Sequence, residues 1–320
     1  MNLLLNCGNR QKSVFSLIIL LFLTSCSNKN TTNIIATLTQ LPHPKTKIVH
    51  FNAKSRISEF TIKHPAVQLK EIRNNLSGIT WDPYNNEYFA IQNNSAIIYR
   101  YDRHFNYLGK MKKKGRINND TEGISFYDGS HLLVATEANV AHKVKFVLYK
   151  LDKQYYYPVQ NFALPRNPNI KNKGLEGIAF RPSSDKRKEL IYAAQEGTGR
   201  HKNAKMRIYS FSSLSDINRQ KDMLHFDDDK SKVNEPFNAE IAFRGIITDI
   251  SGMTFDPTGD TLIIVSQESS KAIQVNPSSG KVLSQLKLSG APSYEGVTIG
   301  PLGELVFVSE KNWIQIYTTN

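Results

Sequence analysis

Tyr294-Glu295-Gly296-Val297-Thr298-Ile299-Gly300-Pro301, continued by Leu302 to Glu310 (L-G-E-L-V-F-V-S-E), is one of five variations on a single theme. The others begin at Leu76 (L-S-G-I-T-W-D-P), Thr121 (T-E-G-I-S-F-Y-D-G), Leu175 (L-E-G-I-A-F-R-P) and Ile250 (I-S-G-M-T-F-D-P). Each reads Ser or Glu, then Gly, a branched or sulfur-containing apolar residue, a small residue, an apolar and usually aromatic residue, and a turn. An apolar run ending in an acid or amide follows: Phe89 to Gln92, Leu132 to Glu137, Leu190 to Glu196, Leu262 to Glu268, and Leu305 to Glu310. This is strand, tight turn, strand, and self-similarity at a spacing of tens of residues marks propellers and solenoids.

Outside the quoted motifs the alternation continues. Ile97 to Tyr101 and Tyr107 to Met111 follow the first copy, and Phe146 to Leu151 and Val159 to Leu164 follow the second, which makes four strands per unit, one propeller blade. The last copy has a third strand, Trp313 to Tyr317, and then the chain ends. The stretch Ser55 to Lys63 reads as a strand that fills the missing place and closes the ring, removing an exposed sheet edge. The Ser/Glu positions fall at 77, 122, 176, 251 and 295, so the intervals are 45, 54, 75 and 44 residues. The excess in the long interval is less than a full unit. Leu214 to Pro236 therefore reads as an insertion loop of the third blade, with Asp227-Asp228-Asp229 as solvated surface. The expected fold is all-β, a single five-bladed β-propeller of four-stranded antiparallel blades over residues 51–320, with a degenerate sixth blade as the alternative.

The N-terminus bounds the cellular address. Arg10 and Lys12 precede an apolar run, Val14 to Leu23, of about ten residues, well short of the roughly 20 needed to span a bilayer. The run ends in Leu23-Thr24-Ser25-Cys26, which reads as a lipoprotein signal over residues 1–25 with lipidation of Cys26. An ordinary cleaved signal is the alternative. Ser27 after the Cys points to the outer membrane. Residues 26–50, rich in Asn, Thr, Lys and Pro between Asn28 and Thr46, read as a flexible tether. Only Cys7 and Cys26 occur, so the domain has no disulfide and its stability rests on its core. Forty-one basic against 28 acidic residues give a net charge of +13. An exported chain without nucleic-acid motifs directs that charge toward an anionic membrane surface rather than nucleic acid. The run Lys110 to Arg116 reads as a solvated loop, with attraction to anionic lipid or lipopolysaccharide as its functional alternative.

The repeat also carries the candidate chemistry. If the first strand is innermost and the second runs back beside it, the last residue of the second lies next to the first residue of its partner. Glu122 then neighbours Glu137, Glu295 neighbours Glu310, Ser77 neighbours Gln92, Glu176 neighbours Glu196, and Ser251 neighbours Glu268. Seven carboxylates, Glu122, Glu137, Glu176, Glu196, Glu268, Glu295 and Glu310, gather at one channel mouth. Carboxylates so confined either take up protons or are neutralised by a cation, and with oxygen donors alone the cation is Ca²⁺ rather than Zn²⁺. The glycine after each Ser/Glu permits close approach of the innermost strands. The alternative is duplication without function: glycines for packing, and glutamates solvated or paired with Lys. Trp81, Phe126, Phe180, Phe255 and Ile299 read as core between blades, and the Asp-Pro, Arg-Pro and Gly-Pro pairs that follow read as turns.

On these motifs the chain resembles the SdiA-regulated (YjiK-like) family of bacterial envelope proteins, from about Leu69 to Tyr317. The resemblance implies a five-bladed propeller with a calcium site and no established enzymatic activity. It places the calcium site on Glu122, Glu176 and Glu295, with the second ring in support; Ser77 and Ser251 interrupt the acidic ring. The first functional reading is a lipid-anchored calcium-binding module of the cell envelope that engages an envelope protein or a small-molecule ligand. The alternative is a metal-dependent hydrolase like the gluconolactonase and phytase-like propellers, with Glu137 or Glu310 as general base. For that reading Arg200-His201-Lys202 is the sole cationic candidate near the mouth. A purely structural envelope protein is a third possibility.

Overall fold

A computed structural model describes residues 56–115, 120–137, 143–165, 174–185, 188–197, 205–212, 223–225 and 233–319. The signal, Cys26, the tether, Arg116 and Arg200-His201-Lys202 lie outside the described residues.

The first four repeats each form a four-stranded antiparallel blade, and the fifth supplies three strands of its own. The first blade comprises Leu76–Asp82, Glu87–Gln92, Ile97–Asp102 and Tyr107–Lys110, and the second Thr121–Asp128, His131–Thr136, Lys143–Asp152 and Tyr155–Pro165. The third runs Leu175–Arg181, Leu190–Gln195, Arg207–Ser212 and Val233–Asn234; the fourth Gly252–Asp256, Thr261–Ser266, Lys271–Val275 and Val282–Lys287. Tyr294–Ile299, Leu305–Ser309 and Trp313–Thr318 make the fifth. The first strands of successive blades lie side by side around a ring, and that of the fifth returns to that of the first. The protein is a five-bladed β-propeller. Five apolar clusters fill the spaces between neighbouring blades. Phe146, Phe162, Ile178 and Phe211, for example, pack between the second and third.

Ring closure differs in detail from the sequence reading. Ile57–Glu59 is a 3-10 turn, and the pairing is made by two short strands, Thr61–Ile62 and Val67–Gln68, both against Trp313–Thr318. The reason is the spacing of the apolar residues. Ile57 and Phe60 are three apart, which suits one face of a 3-10 turn rather than the alternation of a strand. Both are buried with Ile263, Leu286, Phe307 and Tyr317 between the fourth and fifth blades. The expected insertion Leu214 to Pro236 also contributes to the sheets where it is described. Val233–Asn234 supplies the fourth strand of the third blade, and Met223–His225 pairs in parallel with Tyr155–Pro165 of the second.

The innermost strands are held at close quarters. A Cβ added at Gly123 would stand 2.5 Å from the Glu176 carbonyl oxygen, and one at Gly252 would stand 2.4 Å from that of Glu295. The small residue of the repeat has a job that its size alone did not disclose. Thr80 Oγ1 accepts from the Phe126 amide at 2.8 Å, Ser125 Oγ from the Phe180 amide at 3.2 Å, and Thr298 Oγ1 from the Trp81 amide at 3.2 Å. Each hydroxyl thus ties one blade to the next, satisfying an amide that the sheet leaves unpaired on that side.

Replacing Gly123 by Ala forces neighbouring backbone to move, and we expect a loss of about 2 kcal/mol or more in urea unfolding. Gly129→Ala, where nothing lies within 4 Å of the added Cβ, should change stability by less than about 0.5 kcal/mol. Equal effects would show that the close approach is not limiting.

Candidate functional site

The residue before each motif glycine is set off from the regular pleat. In the first, second, third and fifth blades the register slips by one residue around Ser77, Glu122–Gly123, Glu176 and Glu295. A bulge of this kind leaves a residue unpaired and re-aims its side chain. Here the side chains turn to the mouth formed by the starts of the innermost strands. In the fourth blade the first strand begins only at Gly252, and Ser251 bonds to Val265 O and Tyr294 O, at 3.4 and 2.8 Å from its Oγ.

A second tier stands beside the first. Matching backbone bonds, Asn93 N to Asn75 O at 2.8 Å, Glu137 N to Asp120 O at 3.1 Å and Glu310 N to Ser293 O at 3.0 Å, hold the residue that follows each second strand against the start of the first. By this register the partner of Ser77 is Asn93, not Gln92. In the fourth blade the position falls on Gln267, and Glu268 is exposed one residue further on. Counting to the end of each apolar run misplaces these two because the turns differ in length.

The result is a mouth of about 250 Å³ lined by Glu122, Glu137, Glu176, Glu196, Glu295 and Glu310 together with Ser77, Asn93, Ser251 and Gln267. Six of the seven expected glutamates line it; Glu268 does not. Two acids were missed. Asp249 lines the mouth, and Asp120 has carboxylate oxygen within 4.8 Å of Glu122 and Glu137. Their signal was available one residue upstream of the motif, where the copies read Asn75, Asp120, Gly174, Asp249 and Ser293. Asp249 is mainly structural, accepting from Ser266 Oγ and from the amides of Gln267 and Glu268 at 3.1 and 3.2 Å.

Oxygen atoms of Asp120, Glu122 and Glu137 lie within 4.8 Å of one another, and so do those of Glu137, Glu176 and Glu196. Glu137 belongs to both groups, so the densest negative charge lies toward the second and third blades rather than on the ring axis. Glu295 belongs to neither group.

Burial, reinforced by Glu137, Asp120 and Glu196, pushes the Glu122 carboxyl up to about 8, although the Ser77 hydroxyl and the Asn93 amide both donate to it. Burial and then Glu122, Glu310 and Asp249 push Glu295 up to about 9. Glu176 is driven well above the ordinary range by burial and by Glu122, Glu196, Glu137 and Glu295. Among the described residues no Lys, Arg or His lines the mouth. The donor set is carboxylate, amide and hydroxyl oxygen, which fits Ca²⁺ and offers no nitrogen or sulfur cage for Zn²⁺.

A family model described as SdiA-regulated matches residues 52–314. Among solved structures the chain is similar to a glutaminyl cyclase of Myxococcus xanthus, with a TM-score of 0.51 and 10% identity over 81% of this chain and 95% of that one. It is also similar to a nidogen/laminin complex (TM-score 0.45, 14% identity, 74% and 73% covered) and to a luciferin-regenerating enzyme (0.42, 14%, 79% and 94%). At 10% identity the likeness to the cyclase speaks to fold alone.

Without cation, these carboxyls keep protons in the folded state that the unfolded chain releases near the ordinary value of 4.5. The folded state then binds more protons than the unfolded one from that value up to about 9, and stability falls as pH rises through the window. We expect the melting temperature of the chelated protein to drop by at least about 3 °C between about pH 5.5 and about pH 9. Glu176→Gln should flatten the drop. A melting temperature that stays level or rises would refute the assignment.

Proposed function

The chain belongs to the SdiA-regulated family, and from that premise we propose that it is a calcium-binding β-propeller, lipid-anchored in a bacterial cell envelope, that works as a binding module rather than an enzyme. The observation that carries this reading is Glu137, shared between two groups of converging carboxylates that include Glu122 and Glu176. Carboxylates at that separation repel strongly in a partly dry site, and a divalent cation removes the repulsion without protonation. Asp120, Glu122, Glu137, Glu176 and Glu196 would hold the ion. When bound, it would supply positive charge on which a carbonyl, hydroxyl or carboxylate of a ligand can be held.

Two features favour binding over hydrolysis. The lining lacks a cationic side chain among the described residues, so a phosphate ester would meet carboxylates without the Arg or Lys cradle that phosphoryl chemistry uses. The acids also come from several blades, an arrangement in which one ion clamps strands that otherwise repel. The anchor reading rests on Val14 to Leu23 followed by Leu23-Thr24-Ser25-Cys26. A lipidated Cys26 would tether the propeller to a membrane through residues 26–50, with an envelope protein or a small molecule as its ligand.

Calorimetric titration of the chelated protein should show a calcium site that the Glu137→Gln, Glu176→Gln double variant weakens at least tenfold, with folding verified by circular dichroism. Absence of binding to the unmodified protein would end the calcium reading. Cys26→Ser should shift the chain from the membrane to the soluble fraction on cell fractionation, and unchanged membrane retention would remove the anchor.

A further inference from the structure

The channel has a second mouth, at the far ends of the innermost strands, and its chemistry is the reverse of the first. A cavity of about 320 Å³ opens there. Its walls are the aromatic positions of the repeat, Trp81, Phe126, Phe180 and Phe255, joined by Tyr84 and Tyr127. Sequence reading assigned the repeat aromatics to the core between blades. They do pack against the interblade clusters, yet each also offers part of its ring to this cavity.

Three properties define what would fit. The first is shape: aromatic side chains from neighbouring blades meet here, Tyr84 with Phe126 at 5.7 Å between ring centroids and Tyr127 with Phe180 at 4.6 Å. Rings so placed give flat apolar walls that favour offset or edge contact with another ring. The second is rigidity. Pro83, Pro182, Pro257 and Pro301 stand on the rim, and their fixed φ keeps the turns in one conformation, so little ordering cost remains for binding. The third is charge. The one carboxylate in the lining, Asp256, is fully buried and accepts the turn amides of Thr258 and Gly259 at 2.9 and 3.1 Å. Arg181, 5.8 Å from the Phe255 ring centroid, is paired with Asp260 at 2.9 Å. The cavity thus presents no charge of its own to a ligand.

Polar contact comes from hydroxyls and from the Asn86 side-chain amide. Thr80, Ser125, Thr254 and Thr298 line the cavity. The oxygens of Thr80, Ser125 and Thr298 accept amides of the next blade; Ser125 also donates to Phe126 O at 3.4 Å, whereas the Thr80 and Thr298 hydroxyls that accept still have a hydrogen to donate. A volume of this size, with apolar walls and a few hydroxyls, matches a small-molecule site and is too confined for a folded partner.

We propose that this mouth is a binding site for a small, neutral, ring-containing molecule that stacks on Trp81, Phe126 and Phe180 and accepts a hydrogen bond from the Thr80, Thr254 or Thr298 hydroxyl. The site is separate from the carboxylate mouth and needs no cation.

The test uses the full-length chain and the neutral fluorogenic probe N-phenyl-1-naphthylamine. Saturable one-to-one binding is expected, with a Kd on the order of 10 µM, and with energy transfer from Trp81, one of two tryptophans. Chelator or added calcium should leave the affinity unchanged, so this result is independent of the calcium reading. Phe180→Ala and the cavity-filling Thr254→Trp should each weaken binding at least tenfold, while Ile241→Ser, at an apolar residue 62% exposed elsewhere, should have no effect. Circular dichroism and melting curves check folding, and if Thr254→Trp does not fold, Phe180→Ala carries the test. Lack of saturable binding, or binding that both cavity variants leave intact, would overturn the site. Equal affinity for the anionic probe 8-anilinonaphthalene-1-sulfonate would overturn the neutral class.

Discussion

Five strand backbones come close enough around one axis that no side chain fits between them at the point of nearest approach, and this contact governs the rest of the molecule. At Gly78, Gly123, Gly177, Gly252 and Gly296 an added Cβ would meet the next strand at 2.4 to 2.9 Å. Tight convergence at the centre lets the blades fan out at an angle, and the wedge between neighbours is then filled by the five apolar clusters. Burial of those clusters is the main stabilising term, and it exists only because the centre can narrow. The hydroxyl links from Thr80, Ser125 and Thr298 serve the same contact by pairing amides that face a neighbour too close to admit water.

The same convergence creates the chemical problem at one mouth. With the glycines packed, the residue before the glycine in the first, second, third and fifth blades is displaced by a bulge and points into the opening. Three of the blades, the second, third and fifth, contribute acid there in both tiers, and burial drives Glu122, Glu176 and Glu295 toward the protonated form. A fold optimised for stability alone would place Ser or Asn at these positions, as the first blade does with Ser77 and Asn93. Retaining carboxylates instead costs stability in the absence of a cation, which is the usual mark of a site kept for binding. The opposite mouth has no such tension: its aromatics gain from partial burial and its one carboxylate is consumed by a turn.

Much of this was legible in the chain. Repetition of Ser/Glu-Gly-apolar-small-aromatic-turn disclosed the propeller, the number of blades and which strand is innermost, because each copy faces the same environment and is shaped by the same constraint. The six lining glutamates were legible for the same reason. Gln92 and Glu268 were placed in the ring, whereas the structure puts Asn93 and Gln267 there, because register depends on turn length and a one-residue slip moves a side chain from the mouth to solvent. Ile57 to Phe60 read as strand because two apolar residues in a short polar segment satisfy alternation almost as well as a 3-10 turn does.

By itself the sequence determined the repeat, the glycine at each point of closest approach, the all-oxygen character of the candidate site and the apolar segment that ends at Cys26. These follow from residue type and spacing, which are local properties. Only the tertiary structure decided that Glu137 is shared between two carboxylate groups, that Asp249 holds a turn while Asp120 joins the cluster, and that the repeat aromatics line an uncharged cavity as well as the core. Those outcomes depend on how far apart residues from different blades come to rest, a distance set by the packing of all five blades together and written in no single copy.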